Sequence, residues 1–417
     1  MRILVDQSGY DLLNIGDVAM LQSCVSRLQQ QWPAAEIMVI AHEPSVLARY
    51  CPGVIAISQT LADLPLSDLL PRRHLLAAEQ VWKVTAPYFA GRLGGPRMAR
   101  VKRDPGELRG QPGTAIQAVM AADLVVASGG GYVTDSWWWH AAGVLSLLSL
   151  AQRLGKPTAM FGQGIGPVSR CALRAQATAV LPRLEVVGLR EDAIGWDLVQ
   201  SLDVSPDAVT VTGDDALELI KGHTVANGGA LGVSLRVSGY AGVKPVTAAA
   251  IGAQVLKAAA SLQAPIVGLP VSRYAADADV GVLRAILQPD HGQNGLTLDD
   301  IASPEELITA SADCRAIVTG SYHAGVFGLA QGVPAVCLSK SSYYQAKFGG
   351  LQSLFPEACF VVQLDAPDWA ARLSAAIRQA WHLPAPARAS ATDKAVRLRD
   401  AGREAYAQFR TKVEARR

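Results

Sequence analysis

The stretch Gly320-Ser-Tyr-His323-Ala-Gly-Val-Phe-Gly-Leu-Ala-Gln-Gly-Val-Pro334 sets one ionisable side chain, His323, among small and apolar neighbours. The apolar run Ala316–Thr319 before it reads as a buried strand, and Ala335–Leu338 after it as the next one. A side chain in the turn between such a strand and its helix stands outside the carboxyl end of a parallel sheet, where open α/β sheets bind ligands. Small residues let a ligand approach the backbone, and a helix start offers free N–H groups to an anion. An imidazole placed there can give or take a proton near neutral pH. A histidine that only caps the helix would sit in the same place, so its role depends on what accompanies it.

Several other loops follow strand-like runs. Asn14-Ile-Gly16-Asp17 opens a helix; Gly16 permits a tight turn, and Asp17 can cap the helix or bond a sugar hydroxyl. Gly129-Gly130-Gly131 follows Leu124–Ala127, and Gly162-Gln163-Gly-Ile-Gly-Pro167 follows Thr158–Phe161. Arg190-Glu191 closes Val186–Leu189, and Gly213-Asp214-Asp215 closes Val209–Thr212. None of these matches a dinucleotide fingerprint or a phosphate-binding loop of the Walker type. Together they line one wall of a cleft. On the other wall, Arg236 ends Leu231–Leu235 and Arg273 follows Pro265–Pro270. Arginine grips carboxylate or phosphate with two parallel hydrogen bonds, so both are candidate anion clamps, with plain surface arginines as the alternative. Lys340 and Lys347 follow the strand after His323. Trp137-Trp138-Trp139-His140 offers a stacking platform for a sugar, though three consecutive helical residues cannot share a face and at least one belongs to a core.

The elements that must position these residues alternate strand and helix along the chain, which predicts parallel sheets with helices on both faces. One series runs from Ile3–Asp6 to Val209–Thr212, and a second from Leu231–Leu235 to Cys359–Val362. The polar, Gly-rich stretch Gly222–Gly229 reads as the linker. The expectation is two doubly wound domains, 1–221 and 222–383, facing each other across a cleft. Pro384–Ala391 reads as a connector and Thr392–Arg417 as a final amphipathic helix.

The chain has 417 residues, half of them apolar and 18% charged, with a net charge of +2. Nothing in that balance points to nucleic acid. Basic residues concentrate in two places. Leu64–Gln111 holds nine against Asp68, Glu79, Asp104 and Glu107, mixed with Trp82, Tyr88, Phe89 and Met98. The last helix carries eight, Lys394 and Arg397 among them, against four acids. These suggest peripheral contact with an anionic membrane surface, or, for the insertion, packing on the first domain or on a second copy of the chain in a homodimer. Six scattered cysteines show neither a disulfide framework nor a zinc pattern, as expected of a reducing, cytoplasmic setting, and no metal-ligand cluster is seen. The first residues already read as a strand, and Ala141–Leu150 is too short to span a bilayer.

The series Asn14-Ile-Gly-Asp17, Gly129-Gly-Gly131, Gly162-Gln-Gly-Ile-Gly-Pro167, Arg190-Glu191, Gly213-Asp214 and His323…Gly332-Val-Pro334…Lys347 resembles the polysaccharide pyruvyl transferase family over nearly the whole chain. The resemblance implies a GT-B-like pair of Rossmann-type domains. It also implies transfer of an enolpyruvyl unit from phosphoenolpyruvate, a co-substrate, to a sugar, with release of phosphate and no metal or other cofactor. The acceptor would be a polysaccharide unit or its lipid-linked or nucleotide-linked precursor, handled in the cytoplasm at the inner face of the membrane. On this reading His323 is the general acid, and Asp17 or Asp135 takes the hydroxyl proton. Arg236, Arg273, Ser321, Tyr322 and Lys347 hold the donor, and Asn14, Gly16, Gly129, Gly130, Gly131, Trp137, Gln163 and Arg190 face the acceptor. Members of the family commonly carry Arg two residues before the histidine; here that residue is Ser321, so either the anion clamp comes from elsewhere, with Arg236 and Arg273 as candidates, or the donor is different. Two alternatives stay open: a nucleotide-sugar glycosyltransferase of the same fold, and a non-catalytic glycan-binding or assembly protein.

Overall fold

The computed structural model describes residues 1–58, 114–222, 225–275, 278–287 and 301–416. The basic insertion Leu64–Gln111, and with it the expected membrane or second-copy contact, lies outside the described residues. Among the described residues, thirteen strands fall into two parallel sheets. The first has the order β3-β2-β1-β4-β6-β7-β8, with β5 also paired to β6. Its strands are β1 (Arg2–Asp6), β2 (Glu36–Ile40), β3 (Ile55–Ile57), β4 (Leu124–Ala127), β5 (Gly130–Val133), β6 (Thr158–Ile165), β7 (Val186–Leu189) and β8 (Val209–Val211). The second has the order β10-β9-β11-β12-β13, from β9 (Ala230–Ser234), β10 (Ile266–Gly268), β11 (Cys314–Thr319), β12 (Ala335–Ser339) and β13 (Cys359–Gln363). Strands such as Leu124–Ala127 are apolar at every position because both faces of a parallel sheet are covered by helices.

Each sheet makes its own core. Leu4, Val125, Met160 and Val187 face one layer of helices in the first domain, while Ile3, Val5, Val126 and Phe161 face the other. Leu231, Val233, Ile317 and Val336 centre the second. The helix Pro245–Leu262 is long and apolar enough to cross a membrane by length and composition. Here it is the crossover between β9 and β10, with Ile251, Val255 and Ala259 buried against the second core.

Two elements differ from the sequence reading. The triple glycine enters a short strand, β5, that pairs with the end of β6. And Pro384–Ala391 is not a connector: one helix runs unbroken over Ala385–Glu414. Pro386 sits in its first turn, where a backbone N–H has no helical partner to lose. This helix joins the domains. Ala391, Ala395 and Leu398 bury in the second core, and Tyr406, Phe409 and Val413 in the first, where Tyr406 stacks on Phe161 at 3.7 Å. Four of its basic side chains bond the first domain, two of them, Arg403 and Arg416, while half-exposed. Arg403 pairs with Glu218, Arg399 and Lys412 donate to the carbonyls of Ile220 and Glu185, and Arg416 pairs with Glu185. That basic face is a docking face for the first domain.

Main-chain hydrogen bonds close the domains on each other. Ile15 N–H donates to Val271 O at 3.0 Å, and Arg273 N–H to Leu13 O at 2.8 Å. Ser353 donates to Asp192 at 2.9 Å, and Tyr50 to Ala302 O at 2.7 Å. The carboxyl ends of both sheets therefore meet.

Candidate active site

His323 is the second residue of the helix Tyr322–Ala330, which starts where β11 ends. Thr319 fixes the turn before it, accepting from Ser321 N–H at 2.9 Å and donating to Ser321 O at 2.6 Å. The imidazole crosses to the first domain and packs on Gly16, so closely that a methyl there would overlap Nδ1. Gly16 lies in the first turn of the helix Ile15–Gln31, capped by Asn14, whose side-chain Oδ1 accepts from Gly16 N–H at 3.0 Å and Asp17 N–H at 3.3 Å. Bare backbone at position 16 gives His323 its seat.

The other ring nitrogen, Nε2, faces Asp214 Oδ2 at 3.6 Å. Asp214 follows β8; its Oδ1 accepts from Ala216 N–H at 2.9 Å, which aims Oδ2 into the cleft. Arg190 Nη1 lies 3.5 Å from the same oxygen. His323 Nε2, Asp214 Oδ2, Arg190 Nε and Arg190 Nη1 are all buried and none completes a hydrogen bond. Unmet buried groups of this kind cost about 1–3 kcal/mol each, more when charged, and so mark a place built for a ligand. Burial alone would push Asp214 up, but His323 and Arg190 hold it below the usual carboxylate range.

Two cations share this site. Arg190 lies 4.1 Å over the Tyr322 ring, and Lys347 Nζ 5.2 Å from it. Lys347 comes from the helix Ser342–Leu354 after β12 and donates to Tyr343 Oη at 2.9 Å. Tyr343 in turn donates to Gly131 O at 3.1 Å. A Cβ on Gly131 would stand 2.8 Å from Arg190 Nη2 and 3.2 Å from Lys347 Nζ, so this glycine lets both cations reach one point. Burial, and then the neighbouring Arg190, push Lys347 well below its usual range, although Asp17 and Asp214 oppose the shift.

The structure brings His323, Tyr322, Lys347, Gly16, Gly131 and Arg190 together, and Asp17 within electrostatic reach of Lys347. Asp17 itself accepts from Ser8 Oγ at 2.8 Å. Asn14 is a helix cap. Gly129 makes room for Met20, and Gly130 for Tyr132. Gln163 is buried and donates to Ser128 O at 2.6 Å, holding the ends of β4 and β6 together. Trp137 stands at the cleft, packed against the cores of both domains. Ser321 is buried with its Oγ unpartnered.

Three expectations are corrected. Asp135 does not face His323: its carboxylate accepts from the N–H groups of Ser169 at 2.8 Å and Arg170 at 3.1 Å, tying down a surface loop. Arg236 is committed to Asp279, through Nε at 3.1 Å and Nη2 at 3.3 Å, and to Tyr240 at 2.7 Å. Arg273 is exposed, with its guanidinium on Ala302 O. The carboxylate opposite His323 is Asp214, and the cation beside it is Arg190. The signal for both was their place directly after β8 and β7, on the same sheet edge as the glycine loops.

Two parallel α/β domains with a cationic, histidine-bearing cleft at their carboxyl edges define a GT-B-like enzyme architecture. The sequence pattern of the polysaccharide pyruvyl transferase family matches residues 14–342, and the chain belongs to that family. No curated protein matches it in sequence. Solved structures share its fold. A UGT transferase from Siraitia grosvenorii in complex with UDP is 10% identical, with TM-score 0.58 over 99% of each chain. A putative UDP-N-acetylglucosamine 2-epimerase from Listeria monocytogenes is 10% identical, with TM-score 0.57 over 95% of this chain and 94% of that one. The UDP-GlcNAc 2-epimerase from Neisseria meningitidis bound to UDP-GlcNAc is also 10% identical, with TM-score 0.54 over 96% and 99%.

Proposed function

We propose that this enzyme transfers the enolpyruvyl unit of phosphoenolpyruvate to two hydroxyls of a sugar, forming a pyruvate ketal and releasing phosphate. The observation that carries the proposal is the buried meeting of Arg190, Lys347 and His323 around unpartnered polar atoms. Two cations and one acid–base group match a small ligand that bears a phosphate and a carboxylate and must be protonated on carbon. Arg190, fixed by Asp214 and Tyr322, takes over the anion contact that Ser321 cannot make.

In the reaction His323 delivers a proton to the methylene carbon of the donor, leaving an oxocarbenium-like centre at the adjacent carbon. A sugar hydroxyl adds there, and its proton replaces the one His323 gave. The carbon–oxygen bond to phosphate then breaks. The second hydroxyl closes the ketal, and its proton leaves with the phosphate. Asp214 steadies the imidazole while it carries charge, and Arg190 and Lys347 follow the charge onto the departing phosphate. Asp17, within electrostatic reach of Lys347, is the carboxylate assigned to the acceptor side in this reading. The acceptor is a saccharide of a cell-surface polysaccharide or its lipid-linked or nucleotide-linked precursor, and the enzyme meets it in the cytoplasm at the membrane face.

The test is direct binding. Titration calorimetry with phosphoenolpyruvate is expected to give saturable heat that His323→Ala largely keeps and Lys347→Met weakens. Heat with UDP-sugars and none with phosphoenolpyruvate would favour a nucleotide-sugar glycosyltransferase, the class to which the UDP-bound transferase of the same fold belongs.

A further inference from the structure

Beside the cation pair lies a group of aromatic rings that the donor chemistry does not use. Trp137 and Trp139 belong to the first domain, in the segment after β5, and Tyr240 to the second, in the loop after β9. Trp137 lies 5.2 Å from Trp139 and 5.3 Å from Tyr240 between ring centroids, tilted by 53° and 62°. Rings tilted in this way do not cover one another's faces as a parallel stack would. All three are half-buried, whereas Tyr343 and Tyr344 behind them are buried. Tyr240 is backed by Tyr344, parallel to it within 15° at 6.2 Å, and held by Arg236, which Asp279 fixes. Trp137 packs against both domain cores, and Tyr240 meets Tyr343, the residue that receives Lys347, at 6.4 Å between ring centroids. The group is therefore rigid, spans the cleft and ends one side chain away from the anion-binding cations.

We infer that Trp137, Trp139 and Tyr240 form the subsite that holds the acceptor saccharide, one pyranose face against the rings, with its hydroxyls directed toward Lys347 and His323. The chemistry is that of a sugar's two sides. Its C–H face is apolar and meets the electron-rich face of an aromatic ring, while its hydroxyl edge stays free to react. A site lined by polar groups alone would grip the hydroxyls that have to be ketalised. The commitment of Arg236 to Asp279 and Tyr240 gains a purpose here: it sets one of the rings. The inference rests on the sugar-acceptor reading above but not on the identity of the donor.

The experiment is saturation-transfer difference NMR on the full chain, with cellobiose, lactose and their methyl monosaccharides as probes, beside calorimetry with phosphoenolpyruvate on the same protein. Transfer concentrated on ring C–H protons of at least one probe, reduced at least about threefold in Trp139→Ala and Trp137→Phe and retained in Tyr240→Phe, is the expected result. Trp137→Phe and Tyr240→Phe keep a ring, so loss of the fold does not confuse the reading. Absence of transfer from every probe, or transfer unchanged in Trp139→Ala and Trp137→Phe, overturns the subsite. If the sugar signal is present and phosphoenolpyruvate gives no heat, the donor assignment fails and the platform stands. If phosphoenolpyruvate binds and no sugar signal appears, the platform fails and the donor assignment stands.

Discussion

His323 and Gly16 belong to different domains, yet the imidazole rests on the glycine's backbone with no room for a methyl group between them. The acid–base group is thus supplied by one sheet and seated by the other, so its position depends on the closed arrangement of the domains. Replacing Gly16 with Ala is expected to leave the sheets intact and displace the ring, lowering kcat about 10²-fold. The displacement acts through His323, so Gly16→Ala should add little to His323→Ala, whose own cost is about 10²–10⁴-fold. Additive losses in the double variant would separate the two residues.

Lys347 makes donor binding depend on protons. It is held well below the usual lysine range by burial and by Arg190. A bound anion raises the value again. Wherever the pH lies between the free and bound values, binding should take up protons. Calorimetry in buffers of different ionisation enthalpy reads this uptake as a change of apparent heat, and Lys347→Met should reduce the number of protons taken up. The same variant should weaken binding by about 1.5–3 kcal/mol, roughly 10–100-fold.

Arg273, suggested by the sequence, should behave unlike Arg190. Arg273 is exposed and bonds a carbonyl, so Arg273→Ala is expected to leave donor affinity within about threefold. Arg190→Lys keeps a charge near Asp214 but loses the planar fork, and should weaken donor binding at least about tenfold. Circular dichroism of each variant checks that the fold is retained.

These contrasts mark what the sequence made legible. Apolar strands alternating with helices, and glycine loops after them, carry their signal locally, so the two-sheet plan and the sheet edge bearing the site could be read. Partner choice is not local. Arg236 finds Asp279, which lies 43 residues later, and His323 finds Asp214 from the other domain. Position 135 is acidic and close in sequence to the glycine loop, but its carboxylate turns to two backbone N–H groups of a neighbouring loop. The return of the last helix to the first domain was hidden because Tyr406 and Phe409 read only as one stripe of an amphipathic helix.

That return is secured by a buried ion pair. Arg27, 2% exposed, meets Asp215 at 2.6 Å and Glu218 at 2.9 Å, and Glu218 also binds Arg403 of the last helix. Arg27→Ala leaves buried carboxylates without their partner and is expected to cost about 3–5 kcal/mol at neutral pH. Burial already raises Asp215 from 3.8 to about 6, against the pull of Arg27. The folded state therefore holds more protons than the unfolded one between those values, and this residue's contribution to stability falls as pH rises through that window. Below about pH 6 the carboxyl is neutral and misses Arg27 less. The loss in Tm for Arg27→Ala should accordingly be smaller at pH 5 than at pH 7.5, in paired thermal melts.

The most direct test of the donor assignment is the binding of phosphoenolpyruvate to the unmodified chain, followed by calorimetry at fixed pH beside Lys347→Met and Arg190→Lys. Saturable binding to the wild type that both substitutions weaken at least about tenfold, with UDP-GlcNAc giving no comparable heat, is the expected result. Affinity for phosphoenolpyruvate that is absent, or that both substitutions leave unchanged, would contradict it.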